Sequence, residues 1–100
     1  TVNDLVTVLS KWSQETFGTD AERGPIGPLK HLEKEAREAQ ANPTDHMEYA
    51  DCLILVLDAS RRAGIKPLEL FRLASKKMEI NMKREWPKSA GKDEAVEHVR

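Results

Sequence analysis

Cysteine is almost absent from this sequence: Cys52 is the only one in 100 residues. A disulfide framework and a Cys-type zinc site are therefore both excluded within one chain. Aromatic residues are few, five in all. Neither sign of charge dominates, because sixteen basic and seventeen acidic residues leave a net charge of −1. A balance so close to neutral argues against a binder of nucleic-acid polymers driven by phosphate neutralisation. Long hydrophobic runs are missing too. The longest, CLILVL at 52–57, falls far short of the roughly 20 residues a membrane span requires. No basic flank followed by an apolar stretch opens the sequence, so no secretory signal is expected and the cytoplasm is the default compartment. Neither GxxxxGK[ST] nor GxGxxG occurs, and no Glu-x-x-His pair of the di-iron bundle type.

What is present is a helix-forming chain of one domain's length. Apolar residues make up 39% and charged residues 33%, a mix suited to helices with solvated outer faces. Glycine and proline divide the sequence into four helical stretches. The first, over 2–16, carries Leu5, Val6, Leu9, Trp12 and Ser13 at helical spacing, and Gly18 follows as a stop. Residues 18–28 (GTDAERGPIGP) read as a loop. A second helix begins near Pro28 and runs to about Ala41. Asn42-Pro43 breaks the chain, and either Thr44 or Asp45 can cap a third helix over about 45–63. Its CLILVL run leaves no polar stripe, so other helices should enclose it, and Gly64 suits its C-terminal cap. Pro67 opens a fourth helix that runs to about Glu85, and Pro87 stops it. Residues 88–100 are polar, expected to be a mobile tail with at most a short helix at 93–98. The fold class is all-α, with one domain over 1–87 and the tail beyond it.

Two short acidic motifs carry the chemistry. Glu35-Ala-Arg-Glu38 places two carboxylates on one face of the second helix, and Glu48-Tyr-Ala-Asp51 does the same on the third. A short connection packs the two helices antiparallel, which brings all four acids to one end of the pair. Converging carboxylates repel unless a cation lies between them, and an all-oxygen donor set suits Mg²⁺ or Mn²⁺. Mg²⁺ commonly shares its shell with substrate phosphates, so the pattern points towards phosphate chemistry. The plainer account is a solvated face, since Lys34 and Arg37 interleave with the glutamates. Asp51, however, leads directly into CLILVL, where an unpaired charge is costly. Asp58, at the far end of that run, is expected to pair with Arg61 or Arg62. His31, four residues before Glu35, can hydrogen-bond its carboxylate or serve a structural role.

Lys77, Asn81 and Arg84 stand at i, i+4 and i+7 on one face of the fourth helix. A point charge, an amide and a planar guanidinium would suit a polyphosphate; the spacing alone fits an ordinary solvated face as well. Trp12 and Phe17 flank Ser13 and Gln14 before the Gly/Pro loop. They can form a base-stacking wall or close the core.

Together these motifs resemble the all-α nucleoside triphosphate pyrophosphohydrolases, the superfamily of MazG and the dimeric dUTPases. ExxE, then ExxD on the next helix, then a K-x₃-N-x₂-R row carry the resemblance over about residues 10–87. The segments WSQETFG, RGPxGPLxHLxKE, ADCLILVLDA and NxxREWP are similar to the MazG-like dATP/dGTP pyrophosphohydrolase branch of phages and bacterial genomes. The resemblance implies a four-helix MazG-like bundle of antiparallel helices, assembled as a dimer or tetramer. It implies cleavage of a (deoxy)purine nucleoside triphosphate between the α and β phosphates. Glu35, Glu38, Glu48 and Asp51 would ligate Mg²⁺, with Mn²⁺ as a substitute, and Glu35 or Glu38 would activate water. Lys77, Asn81 and Arg84 would bind the triphosphate, with Trp12 and His31 also on the substrate. The alternative is a non-catalytic helical interaction or nucleotide-sensing module.

Overall fold

The computed structural model describes residues 1–87 and 91–98. Four α-helices follow one another: α1 Val2–Phe17, α2 Ile26–Ala41, α3 His46–Arg62 and α4 Pro67–Lys83. No β-strand occurs among the described residues, and no helix there is long and apolar enough to cross a membrane. The chain divides into two compact units, Thr1–Glu69 and Leu70–Arg100.

In the first unit, local chemistry sets each helix end. Thr1 Oγ accepts the Asp4 amide at 3.1 Å and caps α1. Gly18 ends α1 with φ +116°, where a side chain would be strained, and donates to the Gln14 carbonyl. Helix α2 starts at Ile26, two residues before the expected Pro28. The first four amides of a helix have no partner within it, so Gly27 and Pro28 fit inside its first turn without losing a bond. Leu29 makes the opening bond, to the Pro25 carbonyl at 3.1 Å. Of the two candidate caps for α3, Asp45 is the one used, its carboxylate accepting the Met47 amide at 3.0 Å. At the other end Gly64 has φ +86°. Its amide reaches the Arg61 carbonyl, and that of Ile65 the Ser60 carbonyl, which together form a Schellman turn.

Helix α3 packs against both α2 and α1. Late α2 meets early α3 at the acidic residues, while His31 of early α2 and Asp58 of late α3 line one cavity. The pair is therefore antiparallel, as the short 42–45 link requires. The core is small: Val6 and Leu9 of α1 with Leu57 and Ala59 of α3. Enclosure of CLILVL is only partial within one chain. Leu57 is buried, yet Leu53 is half-exposed and Val56 is 37% exposed, because α1 and α2 cover only part of the α3 circumference. Trp12 is exposed as well, so it does not close the core.

In the second unit, α4 ends at Lys83 rather than near Glu85. The Arg84 amide turns back to the Asn81 carbonyl at 3.2 Å, and the Trp86 indole donates to that same carbonyl at 2.7 Å. At 93–98, where at most a short helix is expected, no helix forms. These residues follow a turn closed by the Glu94 amide on the Gly91 carbonyl, and an isolated six-residue helix gains too few bonds to offset its nucleation. The tail residues 88–90 and 99–100 lie outside the described residues.

Candidate active site

The antiparallel α2–α3 hairpin gathers three of the four predicted acids. Carboxylate oxygens of Glu35, Glu38 and Glu48 lie within 4.8 Å of one another. Asp51, one turn further along α3, stands outside that set and lines the adjoining cavity with Glu35. The electrostatics record the crowding. Glu38 is held above the usual carboxylate range by a hydrogen bond to Glu35 and by the Glu35 charge. Glu48 is pushed up by burial first, then by the charges of Glu38, Asp45 and Asp51.

Two oxygens in the cluster are buried and make no hydrogen bond: Oε2 of Glu35 and Oε2 of Glu48. A buried acceptor without a donor is costly, and a hard cation held by these carboxylates would offer such oxygens a partner. The residues present fit a Mg²⁺ or Mn²⁺ site. His31 supports it from outside, with Nε2 3.2 Å from Glu35 Oε1. A partner on the far side of a ligating carboxylate fixes its orientation.

Two cavities share His31, Phe17, Leu55 and Asp58 on their walls, and the second reaches the cluster at Glu35. One, of about 340 Å³, is walled by Phe17, Ile26 and Leu55 and by the 23–28 loop, with His31 and Asp58 also on its wall. The other, of about 370 Å³, is lined by Leu5, Trp12, Phe17, Glu35, Asp51 and Ile54. Trp12 and Phe17 meet edge to face at 5.3 Å and share this second wall. Of the expected substrate-binding residues, Trp12 and His31 thus lie beside the acids. Lys77, Asn81 and Arg84 belong to the second unit, where Arg84 Nη1 approaches Asn81 Oδ1 at 3.5 Å.

A buried ionic network, legible only in part from the sequence, borders the first cavity. Asp58 does pair with both arginines: Arg61 donates to Oδ1 from Nε and Nη2, at 3.1 and 2.8 Å, and Arg62 Nε lies 3.6 Å from Oδ2. Ser13, fully buried, donates to Oδ2 at 2.6 Å. Arg61 also reaches both oxygens of Asp20, at 2.8 and 2.7 Å. The available signal was Ser13 standing among apolar residues on the buried stripe of α1, opposite an Asp that ends an apolar run. Two polar residues at core positions call for each other. The aliphatic wall of Ile26 and Leu55 had no such signal.

Clustered carboxylates on an all-α hairpin, with a cavity of about 370 Å³ reaching Glu35 and Asp51, form the kind of all-oxygen donor set that a hard divalent cation takes. The family model for dATP/dGTP pyrophosphohydrolase matches residues 5–100, and the chain belongs to that family. A solved relative is the cyanophage S-2L MazG-like pyrophosphohydrolase bound to dGDP and three catalytic Mn²⁺ ions per active site. It is 30% identical, with a TM-score of 0.71, and the match covers 100% of this chain and 98% of that one. The Eaa protein of Salmonella phage P22 is 49% identical over 78 residues. These are 78% of this chain, which spans only 24% of that relative's length. The family and the solved relative are pyrophosphohydrolases, hydrolases acting on acid anhydrides.

Proposed function

We propose that this chain is a metal-dependent nucleoside triphosphate pyrophosphohydrolase acting on purine deoxynucleotides, dATP or dGTP. The observation that carries the reading is the pair of orphaned buried oxygens on Glu35 and Glu48, two of the three converging carboxylates. Family membership supports the reaction, and the Mn²⁺ and dGDP of the solved relative support the metal and the substrate class.

Glu35, Glu38, Glu48 and Asp51 would hold Mg²⁺, or Mn²⁺ in its place. Bound there, the ions would supply Lewis-acid polarisation of the phosphoryl oxygens and a lowered pKa for water. Glu35 or Glu38 orients the attacking water and accepts its proton. The α–β anhydride bond breaks as the new P–O bond forms, leaving a nucleoside monophosphate and pyrophosphate. His31 holds Glu35, and Trp12 forms part of the wall against which the nucleoside lies, in the cavity lined by Glu35 and the one that adjoins it at His31. Lys77, Asn81 and Arg84 bind the triphosphate oxygens.

The half-exposed Leu53 and the partly exposed Val56 on α3 support assembly with a second copy, since an apolar helix face gains by leaving water. A cytoplasmic setting is consistent with the lone free Cys52. The test is a product assay with Mg²⁺ or Mn²⁺ and each of the eight common nucleoside triphosphates, resolving pyrophosphate from orthophosphate. Monophosphate plus pyrophosphate from dATP or dGTP is expected. No release from any of them would leave a non-catalytic interaction or nucleotide-sensing module instead.

A further inference from the structure

One side chain that does not touch the acidic cluster makes several bonds to the wall of the first cavity. Arg62, at the C-terminal end of α3, has a side chain only 2% exposed. Its guanidinium crosses to the segment between α1 and α2 and donates to three backbone carbonyls. Nη2 reaches Gly18 at 3.0 Å, and Nη1 reaches Arg23 at 3.0 Å and Thr19 at 3.4 Å. Nη2 also donates to Ser13 Oγ at 2.9 Å. The side chain therefore ties the start and the end of the 18–23 turn to the same point on α3. Arg23 and Gly24, at the end of that turn, line the cavity with Phe17, Ile26 and Gly27.

Little else pins this segment. Beyond its chain neighbours, Gly24 has no atom within 4 Å of where a Cβ would stand. Beyond the turn's own bonds, which include Glu22 on Thr19, the remaining ties are the Asp20 amide on Gln14 Oε1 at 3.3 Å and Asp20 on Arg61. A rigid guanidinium fork with several donors suits the task, because it satisfies carbonyls that point in different directions from one fixed plane. Asp58 is not free to read a ligand from the opposite wall. Its two oxygens are occupied by Ser13, Arg61 and Arg62. The contribution of this network to the cavity is therefore the position of the loop.

Building on the functional reading above, we infer that Arg62 is a positioning residue for the nucleotide: it fixes the 18–27 wall through backbone carbonyls and acts on substrate affinity, not on the metal. An ordered wall binds without the cost of ordering it first. Arg62→Met removes every donor, and Arg62→Lys keeps a charge but loses the planar fork. Gly18→Ala perturbs the same wall from the backbone, since φ +116° disfavours a side chain and its Cβ would meet Arg23 at 3.4 Å, and it leaves Asp58 with its partners.

Steady-state pyrophosphate release is measured for these variants, alongside Mn²⁺ affinity without nucleotide and hydrogen exchange of the 19–27 amides. Arg62→Met and Gly18→Ala should raise KM at least about tenfold with kcat within about threefold, Arg62→Lys falling between, with Mn²⁺ affinity unchanged. Exchange of the loop amides should quicken in the same order. An unchanged KM in folded Arg62→Lys and Gly18→Ala overturns the inference, as does a parallel loss of Mn²⁺ affinity. If the wild type releases no pyrophosphate, the functional reading fails separately. Loop exchange then decides the clamp: faster exchange upholds it, and unaltered exchange overturns it.

Discussion

Replacing Asp58 with alanine should be among the most damaging single changes available in the first unit. The carboxylate is 6% exposed and faces Arg61 and Arg62, which are 11% and 2% exposed. Removing it takes from both arginines their buried counter-charge and leaves them to share the half-exposed Asp20, 2.7 Å from Arg61 and 3.5 Å from Arg62. Breaking a buried pair from one side costs about 3–5 kcal/mol. That is a large part of the 5–15 kcal/mol by which small domains are stable. At about 4 °C per kcal/mol for a domain of this size, melting should fall by at least about 12 °C. Ser13→Ala removes two charge-assisted bonds, the one it donates to Asp58 at 2.6 Å and the one it accepts from Arg62 at 2.9 Å, and leaves both arginines paired, so a loss of at least about 1.5–3 kcal/mol is expected. The control is Glu33→Ala. The Arg37–Glu33 pair is as short, at 2.9 Å, but its side chains are 75% and 66% exposed, and its loss should cost under about 0.5 kcal/mol. Urea and thermal unfolding in EDTA, at one protein concentration, would rank the three. A loss below about 1 kcal/mol for Asp58→Ala, or equal losses for Asp58→Ala and Glu33→Ala, would refute the assignment of burial as the deciding factor.

Three other outcomes are expected. His31→Ala should weaken Mn²⁺ binding about 10- to 100-fold while leaving melting in EDTA nearly unchanged, because it orients Glu35 from behind; calorimetric titration checks this. The raised carboxyl of Glu38 binds its proton more tightly folded than unfolded. Its ionisation therefore destabilises the metal-free fold as pH rises through the folded pKa, and the relative advantage is greatest below the unfolded value. Glu38→Gln should accordingly gain stability on the wild type between acidic and neutral pH in EDTA, and a constant difference would contradict the assignment. Arg84→Lys and Lys77→Ala should raise KM for the triphosphate, with Mn²⁺ affinity unaltered in a titration without nucleotide.

The helices were legible because their punctuation is chemical. Gly18, Asp45, Gly64 and Pro67 each act where their backbone preferences put them. Pro28 misled by two residues for a definite reason: a proline is tolerated anywhere among the unbonded amides of a first turn. The acidic cluster was legible from ExxE and ExxD because a short link forces late α2 against early α3. What the spacing could not give was which oxygens converge. Glu48 joins Glu35 and Glu38, whereas Asp51 turns to the cavity. The arginine fork escaped notice because its partners are backbone carbonyls 39 to 44 residues away, and a carbonyl leaves no mark in a sequence. CLILVL predicted an enclosed helix, but one chain leaves Leu53 half in water.

The central claim is that the buried oxygens of Glu35 and Glu48 belong to a metal site. Its most direct test is a Mn²⁺ titration followed by electron paramagnetic resonance, on the wild type, Glu35→Gln and Glu48→Gln, each confirmed folded in EDTA. The account predicts saturable binding in the wild type and its loss in both variants. Wild-type protein that leaves millimolar Mn²⁺ free, or variants that bind it as well as the wild type, would contradict the account.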